Sequence, residues 1–245
     1  MNRYLIEIEY NGAAFNGWQR QDKDSRTVEG ELEDAIFSAT GERVTVHGSG
    51  RTDSGVHAIG QTAHFDLEKD FDAEKIRLAI NYYASGDVVV KSSEKVDSDF
   101  HARYDVKRKT YLYRLYLTRE RRPLLEGYAA NCPYPLDVEK MREAAGKLIG
   151  EHDFKCMMSV GSSVKTTVRT IYNIDIEEIG EELYVYVTGN GFLYNMVRII
   201  VGTLVDIGRG KLDPGVIDEA FSTGKREIAG PVMKASGLYL YKVEY

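Results

Sequence analysis

A chain of 245 residues, 43% of them apolar, has enough core-forming material for one large domain or two of ordinary size, and its composition excludes a disordered chain. The 32 basic residues against 38 acidic ones leave a formal net charge of −6. That balance by itself argues only weakly against nucleic-acid binding and moves the question to local distribution. The two cysteines, Cys132 and Cys156, exclude a disulfide scaffold and fit a reducing compartment.

The start, MNRYLIEIEYNG, enters strand alternation at once, without the charged, apolar and small-residue order of a signal peptide. The longest apolar stretch, FLYNMVRIIVGTLVDIG, is interrupted by Asn195 and Arg198 and is not a membrane span. A cytoplasmic protein of bacterial type is expected. RYLIEIEY alternates as a strand. Thr27 then caps a helix over 28–40, where Val28, Leu32, Ala35 and Ile36 recur at helical spacing. RVTVHG predicts a short strand over 43–48 and GQTAHFDL another over 60–67. Asp72 caps a second helix in AEKIRLAINYYAS, and DVVVKSSEKV closes as a strand. The order is strand, helix, strand, strand, helix, strand, which is the ferredoxin-like split βαβ unit.

The second half repeats that order. KTYLYRLYL predicts a strand, and DVEKMREAAGKLIG a helix capped by Asp137. TVRTIYNIDIEEI and ELYVYVTGN form a hairpin across Gly180. FLYNMVRIIVGTLVDIG and PGVIDEAFS follow as helices, and GLYLYKVEY as the last strand. The predicted class is α+β: two pseudo-symmetric ferredoxin-like halves, 1–100 and 101–245, with antiparallel or mixed sheets flanking a cleft. Their boundary is expected between Ser98 and Val106.

The loop joining the central strands of the first half, GSGRTDSGVHA, concentrates chemistry. Asp53 stands between Arg51 and His57, and Gly48, Gly50, Gly55 and Gly60 permit backbone conformations and close approaches closed to other residues. With a reference pKa near ~3.9, kept low by a nearby arginine, Asp53 is ionised and suits a nucleophile or base. His57 and His64 lack metal-ligand spacing with any cysteine or histidine cluster, and are expected to be neutral and hydrogen-bonded. GRGK near Gly208 lacks the context of a phosphate loop. Nothing calls for a metal, a redox cofactor or a nucleotide energy source. Residues 103–123 are strongly basic and rich in tyrosine, a pattern that fits a solvated strand edge guarded against aggregation as well as an RNA-facing strand. Asn195, Arg198 and Gly202 share one face of an otherwise apolar helix, where an unpaired charge is costly.

The stretch GRTDSGVHAIGQTAHF resembles the signature of the tRNA pseudouridine synthase A (TruA) family. The resemblance extends over nearly the whole chain, through YNGAAFNGWQRQ, TVEGELEDAI, FHARYDVKRKTYLYRL, LIGEHDF, NGFLYNMVRIIVGTLVDIGRGK and GLYLYKVEY in the family's order. It implies that Asp53 is the essential aspartate of uridine isomerisation, either adding to the pyrimidine ring or acting at the anomeric carbon. It implies that Tyr111 packs on the target base, that Arg198 pairs with the aspartate, that Arg51 helps move the target nucleotide out of its helix, and that Leu238 lines the pocket. It further implies a homodimer acting on uridines at about positions 38 to 40 of the tRNA anticodon stem-loop, with no cofactor. The same fold without catalysis would be an RNA-binding or RNA-folding module. Three stretches depart from the family pattern: Ala84 and Ser85 where Leu-Pro is usual, a displaced Pro231, and KCMM after HDF.

Overall fold

The computed structural model describes residues 1–21, 25–161 and 164–245. They form two compact units, Met1–Lys107 with Tyr239–Tyr245, and Arg108–Leu238. The architecture is α+β.

The first unit contains β1 (Asn2–Tyr10), α1 (Val28–Thr40), β2 (His47–Gly48), β3 (His57–Leu67), α2 (Ala73–Tyr83) and β4 (Val88–Val96). β1 lies between β3 and β4 and is antiparallel to both, while β2 pairs antiparallel with the far side of β3. This order, β4-β1-β3-β2, is the ferredoxin-like one that the strand and helix pattern predicts. The two helix starts follow their capping residues. Thr27 Oγ1 accepts from the Gly30 amide at 3.3 Å, and Asp72 Oδ1 from the Lys75 amide at 3.0 Å. α1 and α2 pack against each other. The core is built from Tyr4, Ile6, Ile8, Leu32, Ile36, Phe65, Ile76 and Ile80, all fully or almost fully buried.

Two details differ from the sequence expectation. The strand foreseen over 43–48 forms only at His47–Gly48, because the Val46 amide donates to Glu33 Oε1 of α1 at 3.2 Å instead of to a neighbouring strand. The unusual Ser85 ties the end of α2 to α1: its amide donates to Glu31 Oε1, and its hydroxyl accepts from Arg26.

The second unit contains β5 (Arg108–Tyr116), β6 (Ala130–Asn131), α3 (Val138–Gly146), β7 (Gly150–Asp153), β8 (Val168–Ile179), β9 (Glu182–Gly189), α4 (Met196–Gly208) and α5 (Val216–Thr223). β9 lies between β5 and β8, antiparallel to both; β7 pairs antiparallel with β8, and β6 parallel with β5. The β8–β9 hairpin turns at Gly180, whose φ is +62°. α3 ends at Gly146 instead of 150, since Gly150 opens β7 at φ +111°. α4 starts at Met196 and not at Phe192, because Asn195 sits in the left-handed region at φ +60°. Gly202 of α4 lies under the 230–231 backbone, so close that a Cβ would stand 2.0 Å from the Pro231 carbonyl oxygen. The KCMM stretch fills core space, with Cys156 and Met157 fully buried. Burial pushes the Cys156 thiol up to about 11.

The chain then enters β10 (Leu238–Glu244), whose residues from Tyr239 onward belong to the first unit. There it runs parallel to β3, with Tyr239 opposite His57 and Leu240 opposite Ala58. Tyr245 follows it, and its hydroxyl bonds Thr62 at 2.6 Å and donates to the Ala102 carbonyl at 2.8 Å.

Candidate active site

In the first unit Asp53 stands on a turn fixed from both sides. The Val56 amide donates to the Asp53 carbonyl at 3.1 Å, so main chain closes the turn, with Gly55 at φ +79°. Upstream, Thr52 is buried and its hydroxyl bonds Tyr10 Oη at 2.7 Å. The Thr52 carbonyl accepts from the Trp18 amide at 3.0 Å. Ser49 Oγ donates to Gln61 Oε1 at 2.6 Å, and Gln61 Nε2 donates to the Gly50 carbonyl at 2.9 Å. With Thr52 held inward, its neighbours Arg51 and Asp53 are both exposed. A carboxylate and a guanidinium two residues apart are thus presented on a segment held by its Gly50, Thr52 and Asp53 carbonyls.

Glycines make this packing possible. A Cβ on Gly12 would stand 2.0 Å from the Val56 carbonyl oxygen, and one on Gly48 2.5 Å from the Trp18 ring. Gly17, at φ +96°, abuts the Thr52 and Asp53 backbone.

His57 and His64 are buried and hydrogen-bonded. His57 Nδ1 accepts from the Gly12 amide at 3.1 Å, and its ring stacks on Tyr239 at 4.6 Å. His64 Nδ1 accepts from the Ala102 amide at 3.1 Å. Burial first, then the charge of Arg3 and the neighbouring His101 and His47, bring His64 down to about 4, against a weaker raising effect of Asp66. Its folded-state value lies below its unfolded one, so the unfolded chain takes up the proton first as pH falls. Stability is then full above about pH 6.5 and declines toward pH 4, by roughly 2–3 kcal/mol from this group. Urea midpoints at intervals between those limits test this, and His64→Gln is expected to flatten the slope. An unchanged slope in that variant would remove His64 as its source.

In the second unit, Tyr111 of β5 is partly exposed and meets Phe192 edge-on, with ring centroids 5.0 Å apart. Its strand neighbour Tyr113 is the core tyrosine: fully buried, donating to the Lys234 carbonyl at 2.7 Å, with its phenol raised far above the usual range by burial. Arg198, on the first turn of α4, donates through Nε to the Met233 carbonyl at 2.6 Å and through Nη1 to Asn195 Oδ1 at 2.7 Å. Asn195 in turn donates to Ser159 Oγ at 3.0 Å. The left-handed Asn195 therefore both starts the helix and orients the guanidinium. Leu238 is 7% exposed, directly after Gly237, which packs on the Tyr113 ring. The structure thus brings Arg51 and Asp53 together in one unit, and Arg198, Tyr113 and the 233–238 segment together in the other.

The basic stretch differs from its appearance in sequence. Arg114 pairs with Glu182 at 2.8 Å, Arg121 with Glu126 at 3.0 Å, and Arg122 with Glu181. Outside it, Arg20 pairs with Glu33, and both Arg209 and Lys211 with the buried Asp206. Arg51 and Arg103 have no such partner among the described residues. Sequence reading missed His47, His101 and Tyr104 as possible contributors; the FHARY run carried the signal for two of them. Among the described residues no group of histidine, cysteine, aspartate and glutamate side chains could hold a metal ion, and no helix is long and apolar enough to cross a membrane.

Comparison with known proteins gives a consistent match. A family model described as tRNA pseudouridine synthase matches residues 7–105 and 144–245. The chain is 43% identical over 245 residues to tRNA pseudouridine synthase A of Caldicellulosiruptor bescii, covering 100% of both chains. It is 44% identical over 245 residues to the protein of that name from Brevibacillus brevis, again covering 100% of both. It is also 44% identical to the one from Wolbachia pipientis, covering 99% of this chain and 100% of the other.

Proposed function

The chain belongs to the tRNA pseudouridine synthase family, and on that premise we propose that it acts in the anticodon stem-loop, at about positions 38 to 40, with Asp53 as its reacting carboxylate. It is an isomerase that converts uridine in tRNA to pseudouridine. The bond from uracil N1 to the ribose anomeric carbon breaks, a bond from C5 forms, N1 gains a proton, and the hydrogen on C5 is lost to solvent. No atom is added overall, so the protein's task is to hold, cleave, turn and rejoin.

The observation that carries the assignment to Asp53 is its presentation: an exposed carboxylate on a turn closed by main chain and anchored by the buried Thr52–Tyr10 bond. Such a group keeps its position because main chain and the Thr52 hydroxyl fix the turn that carries it, as a preorganised nucleophile or base requires. Tyr111 is assigned as the ring that packs on the target base; its partial exposure and edge-on support by Phe192 suit a stacking surface. Arg198, oriented by Asn195 and Met233, is assigned as the cation serving the reacting anionic centre. Arg51 is assigned to extrusion of the target nucleotide and Leu238 to the apolar wall of the pocket. In this reading the half over 1–100 supplies the carboxylate, and the half over 101–245 the tyrosine and the second arginine. A homodimer and a cytoplasmic location complete the proposal, both supported by the family resemblance.

Pseudouridine mapping in tRNA treated with the purified protein tests the position. Product confined to about positions 38 to 40 is the expected result, and product elsewhere overturns it. Because several arginines already face carboxylates, the salt dependence of binding should be moderate. Affinity for tRNA is expected to fall about tenfold to a hundredfold between about 50 and 200 mM salt. Filter binding across that range measures it.

A further inference from the structure

In the first unit a cavity of about 400 Å³ adjoins the segment that leads into the Asp53 turn. Trp18, His47, Arg51, His101, Arg103 and Tyr104 contribute to its lining. Its size is within the range of small-ligand sites.

One wall is a pile of rings. Tyr104 is 74% exposed, yet its ring centroid lies 4.2 Å from that of His101. His101 meets His64 edge-on at 4.7 Å, and His64 stacks with His47 at 5.0 Å. The rings pack on one another instead of converging their nitrogens on a point, which fits the lack of a metal-binding arrangement among the described residues. The turn carrying Tyr104 is pinned. The Tyr104 and Asp105 amides both donate to the His101 carbonyl at 3.1 Å, and the His101 amide donates to Asp105 Oδ2 at 2.7 Å. The Arg103 amide donates to His101 Nδ1 at 3.1 Å. Tyr104 is thus a large aromatic side chain, fixed in place and left in solvent.

Charge is distributed asymmetrically. The acids on the lining are occupied: Glu29 accepts from the Arg20 amide at 2.7 Å, and Glu33 accepts from Arg20 Nη1 and the Val46 amide. The guanidiniums of Arg51 and Arg103 have no partner among the described residues. An exposed ring beside two uncommitted guanidiniums has the complement of one nucleotide: a π-face to stack and a phosphate to pair.

We propose that this cavity is a second nucleotide subsite, which takes a nucleotide of the RNA substrate other than the uridine that reacts, its base on Tyr104 and its phosphate on Arg103 and Arg51. The inference rests on the reading of tRNA as substrate. It gives the FHARYD turn a role in holding the strand beside the reacting residue.

The test compares wild type, Tyr104→Ala, Tyr104→Phe and Arg103→Ala as full chains. Tritium release from tRNA labelled at uridine C5 gives kcat and KM, and filter binding gives Kd. Tyr104→Ala is expected to raise Kd and KM about tenfold with kcat nearly unchanged, and Tyr104→Phe to behave as wild type. Arg103→Ala should weaken binding and lower the salt slope by about one. Since Trp18 is the sole tryptophan and lines the cavity, its fluorescence should respond to anticodon stem-loop RNA, and less so in Tyr104→Ala at equal concentration. Wild-type KM and Kd in Tyr104→Ala would overturn the subsite while leaving the isomerase reading intact. Absence of tritium release by wild type, with the Tyr104 effect on RNA affinity retained, would overturn the isomerase reading and leave the subsite. Unchanged RNA affinity with a changed sedimentation mass would overturn it in favour of a contact with a second copy. Saturation by uridine monophosphate at lower concentration than stem-loop RNA would overturn it in favour of a free nucleotide.

Discussion

Asp53→Asn is expected to reduce tritium release from uridine-labelled tRNA by roughly 10⁴-fold or more, with tRNA affinity within about threefold of wild type. The amide has the shape of the carboxylate but neither its charge nor its nucleophilicity. The fold gives little reason for the variant to collapse. The turn is closed through the Asp53 main-chain carbonyl, and the anchors are Thr52 on Tyr10 and Gln61 on Gly50. Loss of release with binding kept would establish Asp53 as the reacting group, whether it attacks the ring or acts at the ribose. Release above a few per cent of wild type would remove it from that role. Loss of release together with loss of binding would instead place Asp53 in RNA recognition.

Gly12→Ala is expected to destabilise the protein by about 2–4 kcal/mol and to lower kcat as well. The added methyl would stand 2.0 Å from the Val56 carbonyl oxygen, 2.3 Å from its carbon and 2.9 Å from the His57 amide nitrogen, all of them backbone. No side chain can rotate away to relieve this. Val56 closes the Asp53 turn through its amide, and His57 is held by Gly12 and stacked on Tyr239. Relief therefore requires moving the base of the turn that presents Asp53. Thermal melts should show a fall of about 5–15 °C. Gly86→Ala is the control: a Cβ there meets nothing within 4 Å, so its effect should stay within about 0.5 kcal/mol. Equal melting temperatures for Gly12→Ala and wild type would show that the contact relaxes freely.

The amino-acid sequence by itself determined the elements and their order. Alternation marks β1, the Thr27 and Asp72 caps mark α1 and α2, and Gly180 marks the β8–β9 hairpin. Each depends on residues a few positions apart, so each is legible locally. The proposal for Asp53 could be drawn from the sequence for a similar reason, since its glycines, Arg51 and His57 lie within one short motif that also carries the family resemblance.

Tertiary structure decided which partners the polar groups find. Glu33 takes the Val46 amide and ends a strand that the pattern 43–48 allows. Glu181 and Glu182 pair with arginines about sixty residues earlier, at Arg122 and Arg114, so a stretch that looks like an open basic surface is partly neutralised. Tyr111 and Tyr113 share one alternating face, yet only Tyr113 is fully buried, because Gly237 and the Lys234 carbonyl close over it. His47, His101 and Tyr104, backed by the buried His64, form one wall only when β2, β3 and the 101–105 turn meet. Propensity and periodicity are short-range and can be read along a chain. Which donor meets which acceptor, and which charge is left for a ligand, is set by contacts between residues distant in sequence.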